Sequence, residues 1–320
     1  MTSSIHKTNV TIKPRFLVLR GGSVGDFILT LPALAALRRQ WPDAYIELTG
    51  YPHIAELAVA GGLVDKVVSL ESANIARYFA FDAVIEESQA CYIKSFDLII
   101  SYLYDPGGTV KENMLKAGAR QVIYGSPMIA AGHAIDILMK PLETLAIYPE
   151  GTEFSRLTLV GMHREKGVVR RKRVGEKVVA IHPGSGSSKK NWPLVSFIQL
   201  AERLRAESGC TPVFTLGEAD GEIAVELDRI RCDIPIVSSL PLIELAEFLS
   251  ACVGYVGNDS GITHLAASLG LPVVAVFGPT DPEIWAPRGP NIKVIQANGS
   301  GLDDLRRISV AEVCQSVSFG

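Results

Sequence analysis

The sequence has few cysteines and no pair of them in the C-x-x-C spacing of metal and redox sites. Its five cysteines are scattered over 320 residues, and an odd, scattered set is typical of reduced thiols in a cytoplasm. No apolar run approaches the roughly 18 residues of a membrane span. Residues 1–14 are polar and lack the apolar core of a signal peptide. We therefore expect a cytoplasmic protein with a loose N-terminal tail.

The sequence also lacks a strong excess of either charge. The net charge is −3 and the isoelectric point is near 6.1, which argues against nucleic acid as the main partner. One basic run, Arg170–Arg173, is interpreted either as a solvated linker or as a contact for an anionic membrane surface or a phosphorylated acceptor. The length and the 48% of hydrophobic residues suit two domains with substantial cores.

In the first half of the chain, β-rich runs alternate with segments of helical apolar spacing. The predicted strands are 16–19, 44–50, 66–70, 96–103 and 121–125, and the predicted helices are 27–39, 53–60 and 133–145. This alternation indicates a parallel sheet with helices on both faces, in which ligands bind at the carboxyl ends of the strands.

The turn after the first strand ends in Asp26, which this pattern places at the edge of a cleft. Asp26 is interpreted either as a simple helix-start carboxylate or as an exposed base. The glycines of the turn, at 21, 22 and 25, do not match the G-x-G-x-x-G spacing of dinucleotide-binding proteins. That mismatch makes a nicotinamide dehydrogenase a poor alternative.

A second α/β series follows residues 161–176, which we interpret as a linker. Its predicted strands are 177–181, 212–217, 234–237, 253–256 and 273–278, and its predicted helices are 194–207, 218–230, 242–250, 265–270 and 310–316. The sequence therefore predicts a first domain over 15–160 and a second over 177–305. We expect the remaining residues, 306–320, to form a helix that packs back on the first domain.

Three turns of the second half, 182–190, 217–222 and 257–261, fall at strand ends and are rich in glycine and hydroxyl groups. Together they predict a site for a nucleoside diphosphate. Lys190 would neutralise the pyrophosphate charge, and either Glu222 or Glu218 would accept from the ribose hydroxyls. Asp259 would accept from sugar hydroxyls, and further donors to the phosphates would be Ser185, Gly186, Ser260 and Gly261.

Three motifs in this order resemble glycosyltransferase family 9, the ADP-heptose:lipopolysaccharide heptosyltransferases. They are L-R-G-G-S-V-G-D-F-I-L-T-L-P-A-L from residue 19, H-P-G-S-G-S from 182 with K-N-W-P from 190, and G-N-D-S-G-I-T-H-L from 257 with F-G-P-T-D-P from 277. The resemblance spans residues 15 to about 290. It implies the α/β GT-B fold, in which two Rossmann-like, doubly wound parallel-sheet domains face a cleft, with the acceptor on the first domain and the donor on the second.

The resemblance also implies roles for individual residues. Asp26 matches the general base of the family, Lys190 matches the lysine at the donor phosphate, and Asp259 matches the aspartate that binds heptose hydroxyls. Leu240 falls where the family has an apolar contact to adenine. Backbone donors to the pyrophosphate are implied at Ser260, Gly261 and Ile262. The donor-binding set that we expect also includes Gly25, Ser187 and His264.

The function that the resemblance implies is inverting transfer of heptose from ADP-heptose to a lipopolysaccharide core or related glycan. The chain has no D-x-D motif, so we expect neither a metal nor another cofactor. A lipid-linked or oligosaccharide acceptor implies peripheral contact with the cytoplasmic face of the inner membrane. The loop before the lysine reads G-S-G-S-S-K, where the family has threonines and acidic residues. Transfer from another nucleotide sugar, and a non-catalytic module that binds nucleotide sugars, therefore remain alternatives.

Overall fold

The computed structural model describes residues 13–159, 177–297 and 302–317. These residues form two parallel β-sheets in succession along the chain, each flanked by helices. The predicted linker 161–176, the basic run Arg170–Arg173 and most of the predicted tail lie outside the described residues.

The first sheet has five strands in the order β3-β2-β1-β4-β5, and all of its pairs are parallel. The strands are β1 (Arg15–Leu19), β2 (Tyr45–Gly50), β3 (Lys66–Ser69), β4 (Leu98–Ser101) and β5 (Val122–Tyr124). The helices are α1 (Val24–Ile28), α2 (Leu31–Gln40), α3 (Pro52–Ala60), α4 (Ala73–Ala76), α5 (Glu87–Lys94), α6 (Thr109–Lys116) and α7 (Ala134–Met139). Four consecutive apolar residues of β1, 16–19, are buried, as expected of a central strand covered on both faces.

The second sheet has six strands in the order β11-β10-β9-β6-β7-β8, and it is also parallel throughout. The strands are β6 (Val178–His182), β7 (Thr211–Leu216), β8 (Ile236–Ser238), β9 (Gly254–Asn258), β10 (Val273–Phe277) and β11 (Ile292–Gln296). The helices are α8 (Leu194–Ser208), α9 (Gly221–Arg229), α10 (Leu242–Ser250), α11 (Gly261–Ser268), α12 (Pro282–Trp285), α13 (Leu302–Leu305) and α14 (Val310–Ser316). The strand order reverses between β6 and β9, which opens a crevice for a ligand at their carboxyl ends.

The predicted helix 27–39 is two helices, because the chain breaks between α1 and α2. Pro32 lies in the first turn of α2, where its ring is tolerated. In a continuous helix that began at residue 27, Pro32 would lie beyond the first turn and would break the helix. The carbonyl of Ile28, left at the end of α1, accepts a hydrogen bond from the Ser155 hydroxyl at 2.6 Å. The break therefore leaves α1 as a single short turn of helix directed at the cleft.

Six elements of the structure were not predicted from the sequence: α4, α5, α6, α12, α13 and β11. Only three of the eight residues of α6 are buried, and only one residue of β11 is. Both elements therefore show little of the apolar periodicity on which sequence-based prediction depends.

The last helix differs from its predicted position. It packs against α8 of the second half, and Val313 is fully buried in the core of that half. The indole nitrogen of Trp192 donates to the carbonyl of Ile308 at 3.1 Å, which fixes the segment before the helix. The prediction that this helix returns to the first domain is corrected accordingly.

The two halves share one apolar core. It continues from Leu34 and Leu57 in the first half to Leu249 and Leu265 in the second, all of which are fully buried. Two helix pairs make the junction, α1 with α11 and α3 with α10. The relative position of the halves is thus determined by apolar packing as well as by polar contacts.

Polar contacts join the halves at two further places. At one, which we name the strap, the Ser155 hydroxyl bonds the end of α1, and the Leu157 amide donates to the carbonyl of Ser268 at the end of α11 at 2.7 Å. At the other, which we name the clasp, Arg288 pairs with both carboxylate oxygens of Asp136 at 2.6 and 2.7 Å. Within the clasp, His133 Nε2 also lies 2.9 Å from the carbonyl of Ala286.

Candidate active site

A cavity of about 630 Å³ lies between the two halves at the carboxyl ends of the strands. The turn after β1 and the start of α1 form one wall, and the turns after β6, β7, β9 and β10 form the other. Most of the residues predicted for the site line this cavity: Gly25, Asp26, Ser185, Gly186, Lys190, Asp259, Ser260, Gly261, Ile262 and His264.

The second wall contains the amino end of α11, which begins four residues earlier than predicted. Ser260 is the N-cap, and its hydroxyl accepts from the amide of Thr263 at 3.3 Å. The amides of Gly261 and Ile262 therefore belong to the first helical turn, where they have no partner within the helix. Together with the positive end of the helix dipole, these amides form a site suited to an anion.

A lysine, a carboxylate and a hydroxyl meet beside this helix end. Lys190 Nζ and the Thr280 hydroxyl both donate to Oδ2 of Asp259, at 2.7 and 2.5 Å. The Asp259 side chain is 7% exposed and that of Lys190 is 30% exposed, so the pair is largely shielded from water. A diphosphate at the end of α11 would compete with Asp259 for the lysine.

A buried asparagine fixes both ends of the loop that carries Lys190. Asn258, at the end of β9, donates to the carbonyl of Pro183 at 2.8 Å and accepts from the amide of Trp192 at 2.9 Å. Within the loop, the Ser185 hydroxyl accepts from the amide of Ser187 and donates to its carbonyl. Ser187 shapes the loop in this way but is not part of the lining of this cavity.

Asp26 lies on the opposite wall, at the start of α1. Its Oδ2 accepts from the amide and the hydroxyl of Ser23 at 2.9 and 2.8 Å, as in a capping box. Gly22, with φ of +96°, permits this turn, since a Cβ there would lie 2.9 Å from Asp26 Oδ2. Asp26 is thus both a helix-start carboxylate and a partly exposed group of the cleft, which combines the two interpretations that the sequence left open.

A second cavity, of about 530 Å³, shares Val24, His182, Ile262 and the β7 turn with the first. Leu240 lines it, as the predicted apolar contact to a base requires. His53 is a first-half residue of this lining that sequence reasoning missed.

The acidic residue that follows β7 in the cavity is Glu218, which lines both cavities. Glu222 lines neither of them. A 3-10 turn over Glu218–Asp220 precedes α9, so Glu222 falls on an exposed part of the first turn of that helix. Of the two acids that the sequence left open, the geometry therefore favours Glu218.

Two buried histidines give the second wall an unusual electrostatic character. Burial lowers the pKa of His264 to about 4, although the nearby Asp259 opposes this shift. Burial also lowers the pKa of His182, against the opposing effect of Asp220. His182 Nδ1 donates to the carbonyl of Thr215 at 2.7 Å, which leaves its Nε2 as an acceptor when the ring is neutral. Both rings are therefore neutral near pH 7.

Three other lining residues were not singled out from the sequence: Asp220, Thr280 and Trp285. Asp220 Oδ2 accepts from the amide of Gly217 at 2.7 Å, and the three-residue spacing of this pair is a capping signal present in the sequence. Thr280 follows β10 directly, so its place beside the β9 turn follows once β9 and β10 are paired. No local signal distinguishes Trp285.

Among the residues that the structure describes, no group of three or more histidine, cysteine, aspartate or glutamate side chains could hold a metal ion. In the same ranges, no helix is both long and apolar enough to cross a membrane.

Comparisons with known proteins agree with this architecture. The structure of ADP-heptose lps heptosyltransferase II from E. coli is similar over 94% of this chain and 97% of its own, with a TM-score of 0.74 and 18% identity. The lipopolysaccharide heptosyltransferase 3 of Escherichia coli K12 is 22% identical over 291 residues, or 84% of this chain and 83% of its own. Lipopolysaccharide heptosyltransferase 1 of Escherichia coli O18:K1:H7 is 23% identical over 322 residues, or 93% of this chain and 96% of its own.

The two parallel sheets and the likeness to the solved structure of heptosyltransferase II confirm the predicted GT-B fold. The model of glycosyltransferase family 9 (heptosyltransferase) matches residues 133–313, more than half of the chain. The protein belongs to this family, as its motifs predicted.

Proposed function

We propose that the protein transfers heptose from ADP-heptose to an acceptor of the lipopolysaccharide core, with inversion at the anomeric carbon. The proposal rests on one observation above all. A single cavity brings Asp26 of the first half together with Lys190, Asp259 and the amino end of α11 from the second. The relatives named above supply the sugar and the acceptor class, since their names specify heptose and lipopolysaccharide.

In this proposal the donor extends across both cavities. The adenine lies against Leu240 in the second cavity, and Glu218 accepts from the ribose hydroxyls. The diphosphate lies at the amino end of α11 and draws Lys190 away from Asp259. Asp259 is then free to accept hydrogen bonds from the heptose.

The chemical step replaces one bond to the anomeric carbon with another. The acceptor oxygen attacks the face opposite the diphosphate while the bond from that carbon to the diphosphate oxygen breaks, and the hydroxyl proton passes to Asp26. General-base catalysis of this kind contributes typically about 10²–10⁴-fold. Lys190 and the amides of residues 260–262 stabilise the negative charge that develops on the departing ADP. These groups provide the positive charge that a metal would otherwise supply, so we propose transfer without a metal.

The acceptor side of the proposal concerns the edge of the first sheet. Four strongly exposed apolar side chains lie in segments that follow β3, β4 and β5: Phe81, Val84, Tyr104 and Met128. Exposed apolar groups on this scale are typical of contact surfaces. We propose that this edge meets a lipid-linked acceptor at the cytoplasmic face of the inner membrane.

The donor is tested by thermal shift with ADP-heptose, ADP, UDP-N-acetylglucosamine and GDP-mannose. A ligand at about 100 times its dissociation constant adds roughly 2.7 kcal/mol to the free energy of unfolding. We expect ADP-heptose and ADP to raise the melting temperature and the uridine and guanosine sugars to leave it unchanged. Stabilisation by UDP-N-acetylglucosamine or GDP-mannose instead would contradict the heptose donor but not the fold.

Two acidic residues of the same turn provide a matched pair of variants. Glu218→Ala should abolish the shift with ADP, because Glu218 lines both cavities, whereas Glu222→Ala should bind ADP like the wild type. Asp259→Ala should lose the additional shift that ADP-heptose gives over ADP. Binding without any transfer to a heptose-deficient lipopolysaccharide would favour the alternative of a non-catalytic module.

A further inference from the structure

A buried cation lies directly behind Asp26. Arg20 follows the last residue of β1 and is only 4% exposed. Its Nη2 donates to the backbone carbonyl of Asp26 at 2.8 Å, and its Nη1 donates to the carbonyl of Tyr102 at 3.4 Å. The guanidinium thus connects the end of the central strand to the first turn of α1.

The same guanidinium is also close to the Asp26 carboxylate. Nη2 lies 3.9 Å from Oδ1, while Oδ2 is bound by the amide and hydroxyl of Ser23. One oxygen of the carboxylate is therefore fixed by neutral donors and the other faces a positive charge. A cation at this distance attracts a carboxylate oxygen, and it does so more strongly where water is excluded.

We propose that Arg20 is a positioning residue for Asp26: it holds the first turn of α1 and faces Oδ1, so that this oxygen is oriented to receive the proton of the acceptor hydroxyl. The proposal rests on the function proposed above, in which Asp26 is the general base. It deepens that function, since it assigns to a residue outside the cavity lining a part in orienting the base.

A purely structural role explains less of what is seen. A neutral amide could bond the two carbonyls, without the cost of burying a charge. The burial of Arg20 is costly enough to lower its pKa, and its Nε has no hydrogen-bond partner among the residues that the structure describes. The charge itself, rather than the number of hydrogen bonds, is what distinguishes arginine at this position.

Other ionisable groups near Asp26 stay in place in every variant below. His264 faces it from α11, with a pKa that burial lowers to about 4. Tyr102 lies behind Arg20, and burial raises the pKa of its hydroxyl. The remaining charged groups of the cavity are Lys190, Asp259, Glu218 and Asp220. Because these groups are common to the Arg20 variants, a difference in kcat between Arg20→Gln and Arg20→Lys reports the loss of the Arg20 charge.

The test compares Arg20→Gln, which keeps N–H donors without charge, with Arg20→Lys, which keeps the charge. The full chain is assayed for release of ADP from ADP-heptose with a heptose-deficient lipopolysaccharide as acceptor, from pH 5 to 9. For Arg20→Gln we expect kcat to fall at least about tenfold, because the carboxylate is no longer held in the reacting geometry. The dissociation constant of ADP should stay within about twofold of the wild type. Arg20→Lys should recover kcat to within about threefold of the wild type, because it keeps the charge that faces Oδ1.

Arg38→Gln is the matched control. Arg38 is also a mostly buried arginine of the first half. It donates to the carbonyl of Ala44 at 2.7 Å, next to the amino end of β2 and so at the opposite end of the strands from the cavity. Its variant should keep the wild-type kcat even if the melting temperature falls. A kcat that does not fall in Arg20→Gln, or one that falls equally in Arg20→Lys, would overturn the proposal.

Asp26→Asn separates this inference from the function on which it rests. If Asp26→Asn keeps the wild-type kcat, Asp26 is not the base and both proposals fail. If Asp26→Asn loses activity while Arg20→Gln keeps the wild-type kcat, only the role of Arg20 fails. If Arg20→Gln does not fold, Arg20→Lys decides, since a large loss of kcat despite the retained charge and normal ADP binding contradicts the proposal.

Discussion

His264 is a buried histidine whose neutral form is part of the folded structure. Its pKa is about 4 in the folded protein and 6.5 in an unfolded chain. Between these values the unfolded chain binds a proton that the folded protein does not. Lowering the pH from 6.5 to 5 should therefore reduce the free energy of unfolding, by about 2 kcal/mol from this residue.

The measurement is urea denaturation of the wild type and of His264→Gln at pH 7.5 and pH 5. The loss of stability on acidification should be smaller in the variant, because it lacks the group that gains a proton on unfolding. His53→Gln, a change at an exposed histidine, is the control and should follow the wild type. Equal losses in His264→Gln and the wild type would show that His264 is not kept neutral by the fold.

At the scale of single residues, the sequence predicted those side chains whose position follows from a strand end. Lys190, Asp259 and Ser260 belong to turns that directly follow or precede buried elements, and they line the cavity. The sequence could not choose between Glu218 and Glu222, because a short 3-10 turn changes the phase of the following helix and has no clear sequence signal. Thr280 was missed because its contact to Asp259 depends on the pairing of two strands.

At the scale of elements, α1 and α11 meet at their amino ends. A Cβ on Gly261 would lie 2.8 Å from the Val24 Cβ and 2.9 Å from the Gly25 amide nitrogen, closer than real Cβ atoms approach. Gly261→Ala should therefore push the two helices apart, lower the free energy of unfolding by about 1–3 kcal/mol and weaken the binding of ADP. Chemical denaturation and calorimetric titration with ADP measure the two effects.

Gly221→Ala is the control for this substitution. Gly221 begins α9, and a Cβ there would meet nothing within 4 Å. This variant should bind ADP normally and unfold no more easily than the wild type, since alanine favours the helix. If the two alanine variants behave alike, the close approach of α1 to α11 is not required for binding.

The elements themselves were predictable where their apolar pattern is strong. The central strands β1, β6 and β10 are continuous apolar runs and were found within one or two residues. The start of α11 was placed too late, because Gly261 and Thr263 are poor helix formers in isolation. The Ser260 cap and the burial of Thr263 and His264 outweigh that local preference.

At the scale of the whole molecule, the clasp joins the halves beside the cavity. Arg288 follows α12, whose last residue, Trp285, lines the cavity, while Asp136 belongs to α7 of the first half. Hydrogen bonding by Arg288 lowers the pKa of Asp136, so the pair is ionised at neutral pH. Arg288→Glu would place two carboxylates together, and we expect the dissociation constant of ADP to rise about fivefold, equivalent to about 1 kcal/mol.

The reversed pair provides the control for the clasp. Arg288→Glu combined with Asp136→Arg should recover most of the wild-type affinity and the wild-type radius of gyration in small-angle X-ray scattering. The single variant should have the larger radius. A double variant as weak as the single one would mean that the clasp acts through packing and not through charge.

The overall architecture was predictable because strand and helix alternate in both halves at regular spacing. How the halves meet was not, because the shared core depends on helix faces that are distant in sequence. The last helix shows this most clearly, since nothing local indicates that Val313 packs on α8 and not on the first half.

The strap also determines how far each part of the cleft moves when the two halves rotate relative to each other. Its two hydrogen bonds fasten the far ends of α1 and α11, at Ile28 and Ser268. A rotation that preserves both bonds has its axis near the strap, so displacement grows with distance from that axis. Gly25 and Gly261, one helix length away, move through a short arc, whereas atoms at the outer edges of the two sheets sweep through a much longer one. Distances across the meeting point of α1 and α11 are therefore less sensitive to the angle between the halves than distances between the outer edges of the sheets.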